Sequence, residues 1–126
     1  MNRSEIESRL HAFVEYFHDN DPDGAAAMFA EDGVAQHWTG QKVIGRAAIR
    51  KELTPFFEEG QVLRYDVERV DVDEENNVAW SIWTMTLTRG ETTTIMRGVD
   101  TFEFEDGLIK RNAVYMQTDQ PQISFK

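Results

Sequence analysis

The chain has 126 residues, with 13 Lys and Arg against 23 Asp and Glu, so its formal net charge is −10. A surface of this sign repels phosphate backbones, and we expect no nucleic-acid partner. The lack of cysteine excludes disulfides, thiolate nucleophiles and cysteine metal sites. The opening residues are polar and acidic, and no apolar run is long enough to span a membrane. These features predict one domain over residues 1–126 and a cytoplasmic protein with no membrane partner.

The N-terminal part of the chain is predicted to be helical. In SEIESRLHAFVEYF, Ser4 and Glu7 form a capping box, and apolar residues follow at helical spacing. Asp21 and Pro22 predict the cap and first position of a short second helix that runs through AAAMFAED. GVAQHWT is typical of a short strand, and VIGRAAIRKELTPFF of a third helix that opens near Gly45 and is interrupted near Pro55.

From Val62 onward the apolar period changes to two, which is typical of strands. Four runs are rich in β-branched and aromatic residues: VLRYDVERVDVD, NVAWSIWTMTLTR, TTTIMRGVDTFEFE and LIKRNAVYMQ. EENN, GE and EDG separate them and suit hairpins, whereas DQPQISFK is predicted to be a tail. Helices followed by an antiparallel meander predict an α+β fold with the helices on one face of the sheet.

The run at 78–89 carries apolar residues on both of its faces, unlike a strand in a sheet covered on one side only. Three short helices cannot cover both faces, so a second copy of the chain is the economical cover. We therefore predict a homodimer through the face of Trp83, Met85 and Leu87, aided by Ile95, Val99 and Tyr115.

One aspartate falls on an apolar strand face, because Asp100 shares its side of the strand with Met96, Gly98, Phe102 and Phe104. Such surroundings penalise a carboxylate and predict a raised pKa. A carboxylic acid kept neutral can donate a hydrogen bond to an oxygen that develops negative charge. The alternative is a structural Asp100 at a bulge, or one paired with a basic residue: Arg97, Lys110 or Arg111.

His37 is the second candidate for chemistry, since a histidine with an ordinary pKa takes up a proton near neutral pH. The alternative is a structural histidine at a strand end. The three histidines lack HxH or HExxH spacing, and neither GxSxG nor a glycine-rich phosphate loop occurs. We therefore expect neither a metal site nor a cofactor.

Three strings resemble, in order and spacing, the nuclear transport factor two-like superfamily, and within it the SnoaL-like polyketide cyclases and ketosteroid isomerases. The strings are AAAMFAEDGVAQHWTG, VIGRAAIRKEL and GVDTFEFEDGLIKRNAVYM. The resemblance implies a cone, in which a curved antiparallel sheet wraps around about three N-terminal helices and encloses an apolar pocket. It also implies a dimer across the outer sheet face.

The same resemblance places the isomerase base on His37 and the isomerase's oxyanion-hole carboxylic acid on Asp100. The tyrosines of that oxyanion hole fall on Phe13, Phe29 and Leu53, none of which can donate a hydrogen bond. A steroid isomerase is therefore disfavoured. The pair of His37 and Asp100 is closer to the acid–base pair of the SnoaL-like cyclases.

These features predict an enzyme that transfers a proton next to the carbonyl of a small apolar compound, with His37 as base and protonated Asp100 as acid or oxyanion stabiliser. The expected pocket residues are Phe13, Phe29, Trp38, Leu53, Trp80, Ile82, Met96, Phe102, Asn112, Val114 and Met116. The alternative is a non-catalytic dimeric binder of a hydrophobic ligand. A third possibility implied by the resemblance is epoxide hydrolysis as in the limonene-type relatives, which use an Asp–Arg–Asp set around a water. Arg97 points away from the face of Asp100, which argues against it.

Overall fold

The computed structural model describes residues 1–117, in which helices pack on one face of a six-stranded sheet. The helices are α1 (Arg3–His18), α2 (Pro22–Ala27) and α3 (Arg46–Glu52), with a 3₁₀ turn at Thr54–Phe57. The strands are β1 (Phe29–Gln36), β2 (Lys42–Ile44), β3 (Gln61–Asp73), β4 (Val78–Arg89), β5 (Thr92–Glu105) and β6 (Leu108–Gln117). The predicted α+β class is confirmed, and the predicted tail DQPQISFK lies outside the described residues.

Helix α1 forms because its apolar residues recur on one side, which is buried: Ile6, Leu10, Phe13 and Phe17. Its cap is Asn2, whose side chain accepts a hydrogen bond from the backbone N–H of Glu5 at 2.8 Å. The predicted cap at Ser4 is wrong, because Ser4 already lies within the first helical turn. No helix within residues 1–117 is long and apolar enough to cross a membrane.

Helix α2 begins as predicted and ends earlier. The carboxylate of Asp21 accepts the backbone N–H of Gly24 at 2.9 Å, and Pro22 occupies the first turn. The helix stops at Ala27 because the next residues pair with the last strand: the backbone N–H of Ile109 donates to the carbonyl of Met28 at 2.8 Å. Long-range pairing thus overrides local helix propensity in AAAMFAED.

The predicted opening of the third helix near Gly45 is confirmed, since Gly45 is the N-cap of α3. The two preceding residues, Val43 and Ile44, belong to β2, where Val43 pairs with Ala35 of β1. Helix α3 follows and is capped by Leu53, and Pro55 lies at the start of the 3₁₀ turn. Pro55 cannot continue an α-helix, which explains the break that its position predicted.

The sheet has the strand order β2-β1-β6-β5-β4-β3. Strands β3 to β6 form an antiparallel meander of consecutive hairpins, as the separators predicted. Strand β1 instead lies parallel to β6, so the first long strand joins the last one. The sheet is curved and open, and with its N-terminal helices it forms the cone implied by the resemblance.

The register of β4 and β5 decides which side chains face the helices. Trp83 lies opposite Gly98, and Ser81 lies opposite Asp100. The buried residues of this inner face are Ala79, Ser81, Trp83, Met85, Asp100, Phe102 and Phe104. The face that carries Asp100 therefore points into the interior of the cone, as the alternation of β5 predicted.

The predicted dimer face is wrong. Trp83 and Met85 lie on the inner face and are each 5% exposed, because the helices already cover that side. The large apolar side chains exposed on the outer face are Trp80, Ile82, Ile95 and Tyr115. Since β4 is apolar on both faces, its own sequence did not show which side the helices would cover.

Candidate active site

A cavity of about 190 Å³ lies between the helices and the inner face of the sheet. Its most buried lining residues come from α1 and strands β3 to β6: Phe13, Phe17, Tyr65, Trp83, Met85, Asp100 and Asn112. The exposed lining residues are Trp38, Glu52 and Pro55, and they mark the opening to solvent. His37 and Asp100, the two candidates for chemistry, both line this cavity.

Asp100 lies at the buried end of the cavity and is 5% exposed. The indole Nε1 of Trp83 donates a hydrogen bond to its Oδ1 at 3.1 Å. Burial raises the pKa of Asp100 to about 7, although hydrogen bonds from Trp83, Asn112 and Tyr65 favour the charged form. The predicted upward direction of this pKa is confirmed.

The structural alternative for Asp100, an ion pair with a basic residue, is not found among residues 1–117. Lys110 pairs with Glu105 at 2.9 Å, and Arg111 pairs with Glu103 at 3.7 Å. Arg97 is exposed on the other side of the strand. Asp100 is therefore a buried carboxyl held by uncharged donors.

Tyr65 of β3 is the uncharged donor that sequence reasoning missed. It is 4% exposed, and burial, with the nearby Asp100 carboxylate second, raises the pKa of Tyr65 well above its ordinary value of 10. Its backbone N–H donates to Nε2 of His18 at 3.0 Å, which ties this edge strand to α1. The phenol of Tyr65 therefore stays protonated at physiological pH and is available as a donor to Asp100.

His37 follows β1 at the start of a turn, where its backbone N–H donates to the carbonyl of Gln41 at 2.8 Å. Its Nδ1 lies 3.0 Å from Oγ1 of Thr39, and its ring lies against that of Trp38 with centroids 3.4 Å apart. The backbone N–H of Thr39 also donates to Nδ1 at 3.4 Å. These contacts fix the ring at the wall of the cavity through Nδ1 and do not involve Nε2.

Most of the predicted pocket residues line the cavity: Phe13, Trp38, Leu53, Met96, Asn112, Val114 and Met116. Two others belong to the surrounding core, where Phe29 and Phe102 are each 1% exposed and neither reaches this cavity. Trp80 and Ile82 are 39% and 37% exposed on the outer face, so their assignment to the pocket is wrong. They alternate with the inner residues of β4 and cannot face the cavity.

Trp83 is the other site residue that sequence reasoning misplaced, because it was assigned to the dimer face. Its position is permitted by Gly98, where a Cβ atom would lie 2.7 Å from a ring carbon of Trp83 and 2.6 Å from the carbonyl oxygen of Tyr115. A glycine directly across the strand pair from a tryptophan was the signal that could have placed Trp83 inside the cone.

The cavity wall contains no lysine or arginine among the described residues. In residues 1–117 no group of three or more His, Asp and Glu side chains lies close enough together to hold a metal ion. The lining is therefore mainly apolar and aromatic, with Asp100, Glu52 and His37 as its ionisable groups besides Tyr65.

Residues 10–112 match the SnoaL-like domain family, so the chain belongs to that family. No protein of curated function matches the sequence.

Solved structures share the fold at low sequence identity. Rv0760c from Mycobacterium tuberculosis has a TM-score of 0.81 at 20% identity, covering 94% of this chain and 96% of its own. An LEH-like epoxide hydrolase from M. tuberculosis has a TM-score of 0.77 at 18% identity, with coverage of 90% and 84%. A protein from Xanthomonas campestris assigned as a polyketide cyclase has a TM-score of 0.73 at 22% identity, with coverage of 91% and 92%.

Proposed function

We propose that the protein transfers a proton next to the carbonyl group of a small apolar molecule bound in the cavity. The observation that carries this proposal is a buried carboxyl, Asp100, whose pKa of about 7 leaves about half of it neutral at pH 7. A neutral carboxylic acid in an apolar cavity donates a strong hydrogen bond to a carbonyl oxygen that develops negative charge.

His37 is the proposed base. The base acts in the tautomer whose Nδ1 carries the hydrogen: Nδ1 then donates to Oγ1 of Thr39 at 3.0 Å and gives up the 3.4 Å hydrogen bond that it accepts from the backbone N–H of Thr39 in the other tautomer. In that tautomer the lone pair of Nε2 accepts the proton. His37 then removes the proton α to the carbonyl, the C–H electron pair forms the enolate, and Asp100 stabilises the enolate oxygen. Return of the proton to another carbon gives isomerisation, and attack of the enolate on a second carbonyl gives cyclisation.

Family membership and the residues of the cavity wall support this reaction class more than epoxide hydrolysis. Membership of the SnoaL-like family fits enolate chemistry, whereas the likeness to a protein assigned as a polyketide cyclase concerns the fold. The likeness to an epoxide hydrolase concerns the fold, since the cavity wall has no arginine for an Asp–Arg–Asp set among residues 1–117.

A second candidate, ligand binding without turnover, is favoured by one observation. His37 is half-buried beside the exposed Trp38, whereas Asp100 lies at the buried end of the cavity. A ligand that reaches Asp100 alone would be held without losing a proton to His37.

We further propose that the protein is a homodimer through the outer sheet face. The support is the group of exposed large apolar side chains on that face: Trp80, Ile82, Ile95 and Tyr115. A group of this kind on one side of a sheet is typical of a protein interface. Val99, also on this face, is half-buried.

Exchange of α-protons for deuterium separates the enzyme from the binder without knowledge of the substrate. Acetophenone-type and cyclohexanone-type ketones are incubated with the protein in D₂O, and exchange is followed by NMR. We expect the wild type to accelerate exchange, and His37→Ala and Asp100→Asn to lose it about 100-fold or more.

The control variant is His11→Ala, which removes an exposed histidine of α1 that does not line the cavity. Full exchange in both His37→Ala and Asp100→Asn contradicts the proposed roles. Saturable binding of a ketone without exchange supports the binder.

A further inference from the structure

A second space lies next to the candidate active site, and it is a groove open to solvent, because its lining includes exposed side chains: Glu7, His11, His18, Asp66 and Val67. It has a volume of about 560 Å³ and lies between α1 and strands β3 and β4. Within residues 1–117, two side chains line both spaces, Phe13 and Tyr65. These two residues therefore form the wall that separates the 190 Å³ cavity from the larger one.

The Phe13 half of this wall is held by packing. Phe13 is 3% exposed, and its ring packs edge-to-face against three other phenylalanines: Phe17 at 5.1 Å, Phe29 at 6.0 Å and Phe102 at 5.7 Å between centroids. A ring surrounded in this way cannot move aside without opening gaps in the core.

The Tyr65 half is held by its backbone and its ring. The backbone N–H donates to His18 at 3.0 Å, and the ring packs edge-to-face against Phe17 at 5.4 Å and Trp83 at 5.9 Å. Its phenol also interacts with Asp100. The wall is thus built into the same contacts that hold the candidate acid.

The volume in front of the wall limits the size of a ligand. An engineered cavity of about 150 Å³ takes up benzene, whereas sites for drug-sized ligands usually have about 300–1,000 Å³. A cavity of about 190 Å³ therefore has room for one six-membered ring with a carbonyl and a small substituent. With the carbonyl at Asp100, further rings would pass the opening near Trp38 and Pro55 and stay largely in water.

We propose that Phe13 and Tyr65 limit the buried part of a ligand in this site to the single ring that carries the carbonyl, by closing off the second space. That the ligand carries a carbonyl group rests on the proposed function, whereas the size limit rests on the two spaces and their shared wall. Removal of the Phe13 ring would join the two spaces and give a second fused ring a place between α1 and β3.

Calorimetric titration with acetophenone and 2-acetylnaphthalene tests the limit, because these ketones differ by one fused ring. For the wild type, we expect the second ring to change the affinity less than threefold. For Phe13→Ala, we expect 2-acetylnaphthalene to bind at least tenfold more tightly than acetophenone. Phe13→Leu removes fewer atoms and keeps the test informative if Phe13→Ala does not fold, with the same direction expected.

Phe29→Leu is the matched control, because Phe29 contacts Phe13 but lines neither space. A tenfold preference for the larger ketone in the wild type would overturn the inference, and so would an equal gain in Phe29→Leu and Phe13→Leu. If neither ketone binds the wild type, both this inference and the proposed function fail. The expected selectivity without any α-proton exchange would support the size limit and contradict the proposed reaction.

Discussion

The carboxyl of Asp100 is surrounded by apolar and aromatic side chains, yet three polar side chains reach it: Trp83, Asn112 and Tyr65. Burial favours its neutral form, and these donors favour its charged form. The result, a pKa of about 7, leaves both forms populated under physiological conditions. The charge of this residue therefore responds to small changes among its neighbours.

Replacement of Asp100 by Asn should change how stability depends on pH. The folded protein keeps the Asp100 proton up to pH about 7, whereas the unfolded chain loses it near its ordinary value of 3.8. This group therefore contributes stability that is fully present below about pH 4 and is lost as pH rises through 7, about 4 kcal/mol in all. We expect Asp100→Asn to remove that loss and to be more stable than the wild type at pH 8.

Urea denaturation of both proteins at pH 5 and pH 8 measures this difference. Asp32→Asn is the control, because it replaces an exposed aspartate of β1 that does not line the cavity. If the wild type gained stability relative to Asp100→Asn between pH 5 and 8, Asp100 would be charged in the folded protein.

Removal of the donor on Trp83 should raise the pKa of Asp100 further. Trp83→Phe deletes the Nε1–H that stabilises the carboxylate, a hydrogen bond to a charged group worth about 1.5–3 kcal/mol. We expect the pKa of Asp100 to rise by about one unit or more. Any catalysed exchange of α-protons should then persist to a pH that is higher by the same amount, because Asp100 stays neutral up to that pH.

Carbon-13 NMR titration of the Asp100 carboxyl reports this pKa whether or not the protein is an enzyme. Trp80→Phe serves as the matched control, because Trp80 lies on the outer face of the same strand. An unchanged Asp100 pKa in Trp83→Phe would show that the indole does not hold the carboxyl.

At the scale of the elements, β4 and β5 approach each other closely at Gly98. A methyl group there would meet both the ring of Trp83 and the carbonyl oxygen of Tyr115 in β6. One of these must move, and the tryptophan also carries the hydrogen bond to Asp100. Gly98 therefore couples the spacing of three strands to the geometry of the site.

Gly98→Ala should destabilise the protein by about 1–3 kcal/mol, the usual cost of overpacking a core. We also expect Trp83 to shift, which changes its fluorescence and raises the pKa of Asp100. Denaturant unfolding and the NMR titration described above measure the two effects. Unaltered stability together with an unaltered Asp100 pKa would mean that the strands adjust without moving Trp83.

Some of these elements could be predicted from sequence and others could not, for physical reasons. The strands of the meander have a clear alternation and short polar separators, so both their positions and the inward face of Asp100 follow from local pattern. The end of α2 depends on the pairing of Phe29 with Ile109, which no local pattern contains. The face of Trp83 depends on where the helices pack, since β4 is apolar on both sides. Tyr65 was missed because its role depends on Asp100, a residue of a different strand.

At the scale of the whole molecule, the outer sheet face is the surface proposed to join two copies. Ile95 lies on that face and is 49% exposed, and a lysine there would place a charge in the centre of an apolar contact. We expect Ile95→Lys to convert a dimer to a monomer in sedimentation or light-scattering measurements. Ile44→Lys is the matched control, because Ile44 is 68% exposed on the far edge strand β2. A monomeric wild type would contradict the dimer.

The parallel contact of β1 with β6 determines when the site can come into existence during folding. The hairpins of β3 to β6 join neighbouring segments and can form early, whereas β1, which pairs locally only with β2, must wait for the last strand before it can join the meander. His37 follows β1 and Asp100 lies within the hairpins, so the two residues meet only in that late step. A chain released before β6 is complete could contain well-formed hairpins and still have no wall to hold His37 beside the cavity.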